Sequence, residues 1–339
     1  MPATRLLRPL QTATRRFSST ATSSLPSSVR LVEVSARDGL QALKNPILTT
    51  SQKLEYLNKL TASGLTHIEA GSFVNPKTIP QMANSGSLMG NLPAGPLWSF
   101  LTPNQRGLDA FLAHNPDLTT TEIAVFVSAT EEFSMRNLGR PRDKAMADFG
   151  EVVRKARETD VKVRGYVSMV IACPFSGPTD PKEVGDAVEK LLGMGCYEVS
   201  LGDTNGFGTP KTVRALLHHL VKERGVSVDK LAGHFHDTYG MAVANVQAAA
   251  EEGVAVFDGS VGGLGGCPFA GPGAAGNVAT EELVWLFEKQ GVKTGVNIEK
   301  LIEAGRFMSG LLQRQGESKV ARALMGKRTV TQEEPKAKL

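Results

Sequence analysis

From Arg30 onward the chain alternates short runs of β-branched and apolar residues with longer stretches whose apolar residues recur every three or four positions. Eight runs read as strands: Arg30–Val34, Thr66–Ala70, Leu97–Leu101, Glu122–Val127, Val161–Val170, Tyr197–Gly202, Leu231–His236 and Val254–Val261. Helical spacing is clear over Ser51–Ser63 and Pro181–Met194, with starts signalled at Thr50-Ser51, Thr179-Asp180-Pro181 and Thr209-Pro210. Gly64, Gly195, Gly225 and Gly253 stand where helices should stop before the next strand. Strict alternation predicts a parallel sheet covered by helices. Eight units over about 260 residues match a (β/α)8 TIM barrel. An open doubly wound sheet would want a glycine fingerprint after the first strand; Ser35-Ala36-Arg37-Asp38-Gly39-Leu40 is not one. Two further helical stretches, about Thr280–Lys289 and Asn297–Leu324, are expected after the last strand, the latter packed beside the barrel.

Charge divides the chain into parts. The first 32 residues hold five arginines (Arg5, Arg8, Arg15, Arg16, Arg30) and no acid. Without those five, the 38 basic residues fall to 33 against 34 acidic, so the net charge of +4 belongs to the leader. An Arg-rich, Ser/Thr-rich, acid-free segment reads as a mitochondrial transit peptide. The expected organisation is therefore a leader over 1–29, a barrel domain with its C-terminal helices over 30–326, and a polar tail over 327–339. The tail ends Ala337-Lys338-Leu339, one small residue away from the Ser-Lys-Leu peroxisomal address, so both the mitochondrial matrix and the peroxisome are expected locations. The body has no basic footprint for nucleic acid, and no apolar run approaches the roughly 20 residues that span a bilayer. Three cysteines (Cys173, Cys196, Cys267) are too few for a disulfide framework and lack zinc-site spacing.

In such a barrel, chemistry collects at the C-terminal ends of the strands. The seventh run ends Gly233-His234-Phe235-His236-Asp237. Strand residues two apart share a side, so His234 and His236 are predicted to aim together at the mouth as half of a metal site. Asp38, beside Gly39, offers a carboxylate there, and Arg37 offers a fixed positive charge where an oxyanion could develop. After the eighth run comes Gly262-Gly263-Leu264-Gly265-Gly266-Cys267, a glycine-rich loop able to approach a ligand closely and carrying a thiol able to exchange a proton. Asn277 stands just before a helix, where it can cap that helix or turn its amide oxygen to a metal. Further polar groups at strand ends are Glu69, Ser72, Tyr166, Ser168, Ser200, Asp203 and Thr204. Buried carboxylates need partners, and Glu69 and Asp203 are natural companions for Arg37 and the metal.

Six stretches together resemble the hydroxymethylglutaryl-CoA lyase family: residues 37–41, 68–74, 164–168, 195–204, 234–240 and the glycine loop through Asn277. The resemblance spans about residues 30 to 325. The first and fifth are shared with the wider superfamily of metal-dependent aldolases and acyl-CoA Claisen synthases, whereas the loop carrying Cys267 is the more specific signal for the lyases. The resemblance implies a magnesium or manganese ion held by Asp38, His234, His236 and Asn277. It implies catalytic roles for Cys267, Arg37, Glu69 and Asp203, and a pocket lined or supported by Arg37, Gln41, Ser72, Tyr166, Ser200 and Thr204. It also implies an acyl-CoA substrate and a homodimer. The chain departs from the family pattern at Ala42-Leu43, at Asn75-Pro76-Lys77-Thr78 and over 134–144, with Gly139 and Pro141 in a stretch where relatives are more helical. Met325 replaces the family's C-terminal cysteine, so thiol control through that position is expected to be absent. A Claisen-type acyltransferase would share the metal site but should lack the Gly-Gly-Cys loop and carry a long C-terminal domain. A catalytically idle barrel should have lost at least one of Asp38, His234, His236, Asn277 or Cys267.

Overall fold

A computed structural model describes residues 25–114, 116–266 and 275–332. Eight strands close into a barrel: β1 (Arg30–Glu33), β2 (His67–Ser72), β3 (Leu97–Leu101), β4 (Thr121–Ser128), β5 (Lys162–Ser168), β6 (Glu198–Asp203), β7 (Leu231–Phe235) and β8 (Val256–Gly259). Every strand pairs in parallel with its sequence neighbours, and β8 returns to β1 in the register Arg30 with Val256 through Glu33 with Gly259. All eight predicted strands are present. The first stops at Glu33, and Arg37 and Asp38 instead occupy a one-turn helical segment, Ser35–Gly39. This turn lifts both side chains off the strand and over the barrel mouth.

The helices are α1 (Thr50–Ala62), α2 (Ser85–Met89), α3 (Gln105–Ala113), α4 (Glu131–Leu138), α5 (Arg142–Glu158), α6 (Pro181–Met194), α7 (Pro210–His218), α8 (Ala242–Glu251), α9 (Thr280–Lys289), α10 (Ile298–Leu312) and α11 (Lys319–Gln332). The start signals act as expected. Thr49 and Thr209 close capping boxes with Gln52 and Thr212, and Asp180 caps α6 ahead of Pro181. Gly195 ends α6 at φ +112°, a conformation costly for any residue with a side chain. The departing stretch 134–144 is two helices, α4 closed by Gly139 in the left-handed region and α5 opened after Pro141. The single C-terminal helical stretch expected from Asn297 to Leu324 is likewise two helices. Gln313, at φ +52°, stops α10, and α11 starts at Lys319 and runs to Gln332. Asn277 does not cap α9; Ala279 occupies that position.

The layer between strands and helices is apolar, with Leu57, Leu60, Ile68, Phe111, Val188, Phe257 and Phe287 all fully buried. Phe235 belongs to this layer, so its neighbours His234 and His236 face inward. The barrel interior is charged instead. Arg164 on β5 bonds Glu198 on β6 at 2.8 Å and Asp258 on β8 at 2.8 Å, all three buried. Arg30 joins the same Glu198 from below. Cys173 and Cys196 are buried free thiols, and burial pushes Cys196 up to about 12. No described helix is long and apolar enough to cross a membrane.

On α9, burial pushes Glu281 from the ordinary 4.5 up to about 8. Its folded value lies above its unfolded one, so its contribution to stability is complete below the unfolded pKa. That contribution is lost as the pH rises towards about 8. Glu281→Gln, which has no proton to lose, is therefore expected to flatten the fall of stability between about pH 5 and pH 8. Urea denaturation across that range checks this; equally steep profiles for the two proteins would count against it.

Candidate metal centre and active site

The mouth of the barrel is built by the ends of β1, β7 and β8. His234 lies in β7, and His236 lies just beyond it, paired across an isolated antiparallel bridge with Asn277. The segment Gly276–Val278 is threaded between the ends of β7 and β8: the Asp237 amide donates to the Gly276 carbonyl, the Val278 amide to Phe235, and the Ser260 amide to Val278. This places Asn277 beside Asp38, whose Oδ2 accepts from the Asn277 Nδ2 at 2.8 Å.

One ligand atom from each of Asp38, His234 and His236 falls within 4.8 Å of the others; the two histidines are buried and the Asp38 side chain is 13% exposed, towards the mouth. Each imidazole has its proton fixed by a partner. His236 Nδ1 stands 3.2 Å from the carbonyl of Ala275, which can only accept, so Nδ1 donates and Nε2 keeps its lone pair. His234 Nδ1 lies 3.0 Å from Asp258 Oδ2, which orders it in the same sense and leaves Nε2, 3.9 Å from Asp38 Oδ2, facing the cluster. Burial and the neighbouring His234 push His236 down to about 4, so it is neutral near pH 7 as a ligand must be. Burial alone would raise Asp38, but Arg37 and the two histidines outweigh it and hold the carboxyl below its ordinary value.

The donor set fits a divalent cation on an independent observation. Asn277 Oδ1 is buried and has no hydrogen-bond partner, while its Nδ2 is committed to Asp38. An unpaired buried carbonyl oxygen is costly, and beside a carboxylate and two imidazole lone pairs it completes an oxygen and nitrogen donor set of the kind divalent cations accept.

Next to this cluster Arg37 bridges two acids, its Nη atoms standing 2.6 Å from Asp38 Oδ1 and 2.6 Å from Glu69 Oε2. Its guanidinium also lies 5.6 Å from the centre of the Tyr166 ring. Burial opposes the charge, yet Glu69 and Asp38 overcome it and raise the pKa above the ordinary arginine value, so Arg37 is a permanent cation. Gln41 donates to Asp38 Oδ1 at 2.6 Å. A cavity of about 370 Å³ opens over the cluster. Arg37, Asp38, Gln41, Ser72, Tyr166, Thr204, His234 and His236 line it, together with Ala42 and Thr78 from two of the departing segments. Its far wall is apolar, formed by Leu101, Phe126, Phe133 and Leu138.

Glu69, Ser200, Asp203 and Asn277 stand behind the lining. The Ser200 hydroxyl donates to Asp258 at 2.8 Å. Asp203 Oδ2 accepts from the Gly208 amide at 2.8 Å, its Oδ1 has no partner, and burial pushes it up to about 6. Asp203 makes no ion pair with Arg37; Glu69 alone of the two expected companions does. Cys267 lies outside the described residues, as do most of the leader and the terminal Ala337-Lys338-Leu339. Sequence reasoning missed Asp258 and Arg164, which orient His234 from beneath. The available signal was the unpaired acid in the apolar run Val256-Phe257-Asp258-Gly259.

A closed parallel barrel with acid, imidazole and amide donors converging at its C-terminal mouth, beside a buried guanidinium, defines a barrel enzyme with a candidate divalent-metal centre. Residues 28–308 match the HMGL-like family. The chain is 45% identical to the 3-hydroxy-3-isohexenylglutaryl-CoA/hydroxy-methylglutaryl-CoA lyase of Pseudomonas aeruginosa, over 89% of this chain and 99% of that protein. It is 43% identical to the mitochondrial hydroxymethylglutaryl-CoA lyase of Bos taurus, over 91% of this chain and 93% of the relative. A crystal structure of the hydroxymethylglutaryl-CoA lyase from Pseudomonas aeruginosa superposes with a TM-score of 0.85 at 44% identity, covering 89% of this chain and 99% of that one. The chain belongs to the HMGL-like family of carbon–carbon lyases.

Proposed function

We propose that this chain cleaves 3-hydroxy-3-methylglutaryl-CoA to acetyl-CoA and acetoacetate. The observation that carries the reading is the convergence of Asp38, His234 and His236, with the orphaned Asn277 Oδ1, beside the buried cation Arg37. The lyase names of relatives at 43–45% identity support the substrate.

Asp38, His234, His236 and Asn277 would hold a magnesium or manganese ion. Such a cation would supply Lewis acidity, which makes a nearby hydroxyl easier to deprotonate. Asp38, through water, takes the proton of the C3 hydroxyl, since the one lone pair of His234 is committed to the cation. The O–H pair becomes the new ketone of acetoacetate, and the C2–C3 pair passes to the thioester as an enolate. Arg37 faces that thioester oxygen and stabilises its growing charge. Glu69 holds Arg37 in place. Cys267, or a group it relays to, returns a proton to C2. Gln41, Ser72, Tyr166 and Thr204 orient the acyl portion from the lining, with Ser200 and Asp203 in support. The same reading places the mature chain in the mitochondrial matrix after loss of the leader over 1–29. Ala337-Lys338-Leu339 gives a second, peroxisomal address, and a homodimer is the assembly.

The purified chain is expected to release acetoacetate from 3-hydroxy-3-methylglutaryl-CoA with magnesium, and to fall to background with excess chelator. A folded, metal-loaded protein that releases none in either condition would sink the reading.

A further inference from the structure

Two buried carboxyl groups near the mouth take no part in those steps. Glu33, the last residue of β1, is fully buried and pairs with no cation among the described residues. Its Oε1 accepts from the amides of Ser35 at 2.9 Å and Val261 at 3.0 Å, and its Oε2 accepts from the Thr280 hydroxyl at 2.6 Å. One carboxylate thus joins the start of the turn bearing Arg37 and Asp38, the start of the glycine-rich segment after β8, and the start of α9. Glu281 holds the next residue of that segment, both oxygens accepting from the Gly262 amide at 3.0 and 3.1 Å. The turn and the segment touch: a Cβ on Gly39 would meet Ser260 Oγ and Leu264 Cβ at 3.0 Å. Helix α10 presses on the segment from the other side, where a Cβ on Gly305 would meet Val261 Cγ1 at 2.9 Å.

We propose that Glu33 is a positioning residue, a single carboxylate that fixes the separation between the turn carrying Arg37 and Asp38 and the root of the glycine-rich segment, with Glu281 holding the same root. A buried carboxylate without a counter-charge is expensive. Three donors offset that cost, and all three belong to backbone or side chains that frame the active site. What matters is therefore where the acceptor oxygens lie rather than the charge they carry. Glutamine keeps an oxygen at Oε1 for both amides and presents its NH2 to the Thr280 hydroxyl, which can accept. Aspartate keeps the charge but withdraws the oxygens by one methylene from Val261. The two conservative variants therefore separate geometry from charge.

The activity arm of the test rests on the lyase reading; the metal arm does not. Glu33→Asp and Glu33→Gln, in the full chain, are compared by steady-state kinetics on 3-hydroxy-3-methylglutaryl-CoA and by Mn2+ titration followed by electron paramagnetic resonance. Glu33→Asp is expected to lose about 100-fold in kcat with KM within about threefold, since small displacements of catalytic groups cost on that order. It should also bind Mn2+ about tenfold more weakly, because the turn carrying Asp38 shifts. Glu33→Gln should stay within about threefold of the parent on both readouts. A glutamine variant that falls as far as the aspartate one, or an aspartate variant that matches the parent, overturns the proposal. Should Glu33→Asp not fold, Gly39→Ala alters the same separation directly, since its Cβ would meet Ser260 Oγ and Leu264 Cβ at 3.0 Å, and an unchanged kcat and Mn2+ affinity there would overturn the proposal. If the parent shows no lyase activity, the functional reading fails, and the Mn2+ titrations still decide this one.

Discussion

Arg37→Met is expected to lower kcat by about 10²- to 10³-fold, the loss found when one preorganised donor to a developing oxyanion is removed. Methionine nearly fills the volume of the arginine stem, so packing is preserved and the missing element is charge. That charge is aimed rather than diffuse: the guanidinium is buried, tied to Asp38 and Glu69 at 2.6 Å each, and raised above the ordinary arginine pKa by those acids. Its removal leaves two buried carboxylates without their shared cation. Breaking such a pair costs roughly 3–5 kcal/mol of stability, so the variant should also melt earlier. The Mn2+ affinity separates the two consequences. Asp38 loses a competitor for its oxygens, so the variant should bind Mn2+ at least as tightly as the parent. A folded, Mn2+-loaded Arg37→Met retaining kcat within about tenfold would remove Arg37 from the enolate's stabilisation.

The parts of this arrangement that were legible in the sequence share one property: their signal is local. Strand–helix alternation survives in a one-dimensional reading because each βα unit is built from neighbours, and all eight strands were found that way. His234 and His236 were legible because a two-residue spacing at a strand end fixes which way both point. Asp38 and Arg37 stood out as charges at the end of an apolar run, although the turn that lifts them over the mouth was not foreseen. Arg164, Glu198, Asp258 and Glu33 were not legible. In a parallel barrel the residues facing the interior alternate with those facing the helices, so a charge inside the barrel has the spacing of a charge on a surface strand. Pairing of β5 with β6 brings Arg164 to Glu198 across 34 residues, and only closure of the barrel brings it to Asp258 on β8 across 94. Asn277 was read as either cap or ligand, and the bridge to His236 decides against the cap. The break between α10 and α11 hangs on Gln313 in the left-handed region, a conformation that glutamine does not advertise.

Asp258→Asn is expected to weaken Mn2+ binding by about 10- to 100-fold and to lower activity in step, the usual effect of losing the partner that orients a metal-ligating histidine. Asp258 works through its acceptor count. Its two oxygens take hydrogen bonds from both Nη atoms of Arg164, from Ser200 and from His234 Nδ1, and all of these are donors. An amide replaces one acceptor by a donor. If the NH2 takes the Oδ2 position it faces His234 Nδ1, which must then become the acceptor. The ring proton moves to Nε2, and the atom that should meet the cation no longer has a lone pair. If the NH2 takes the Oδ1 position it faces Arg164, and two buried donors oppose each other while Arg164 keeps only Glu198 as an acid partner. Either outcome damages the centre, the first through the histidine tautomer and the second through the stability of the barrel interior. Thermal melting tells them apart, because the second opposes the 2.8 Å bond from Arg164 and the first only the longer one at 3.3 Å, so the second lowers the melting temperature more. Full Mn2+ affinity together with an unchanged melting temperature in Asp258→Asn would show that neither His234 nor Arg164 depends on the carboxylate, and the orienting role assigned to Asp258 would be withdrawn.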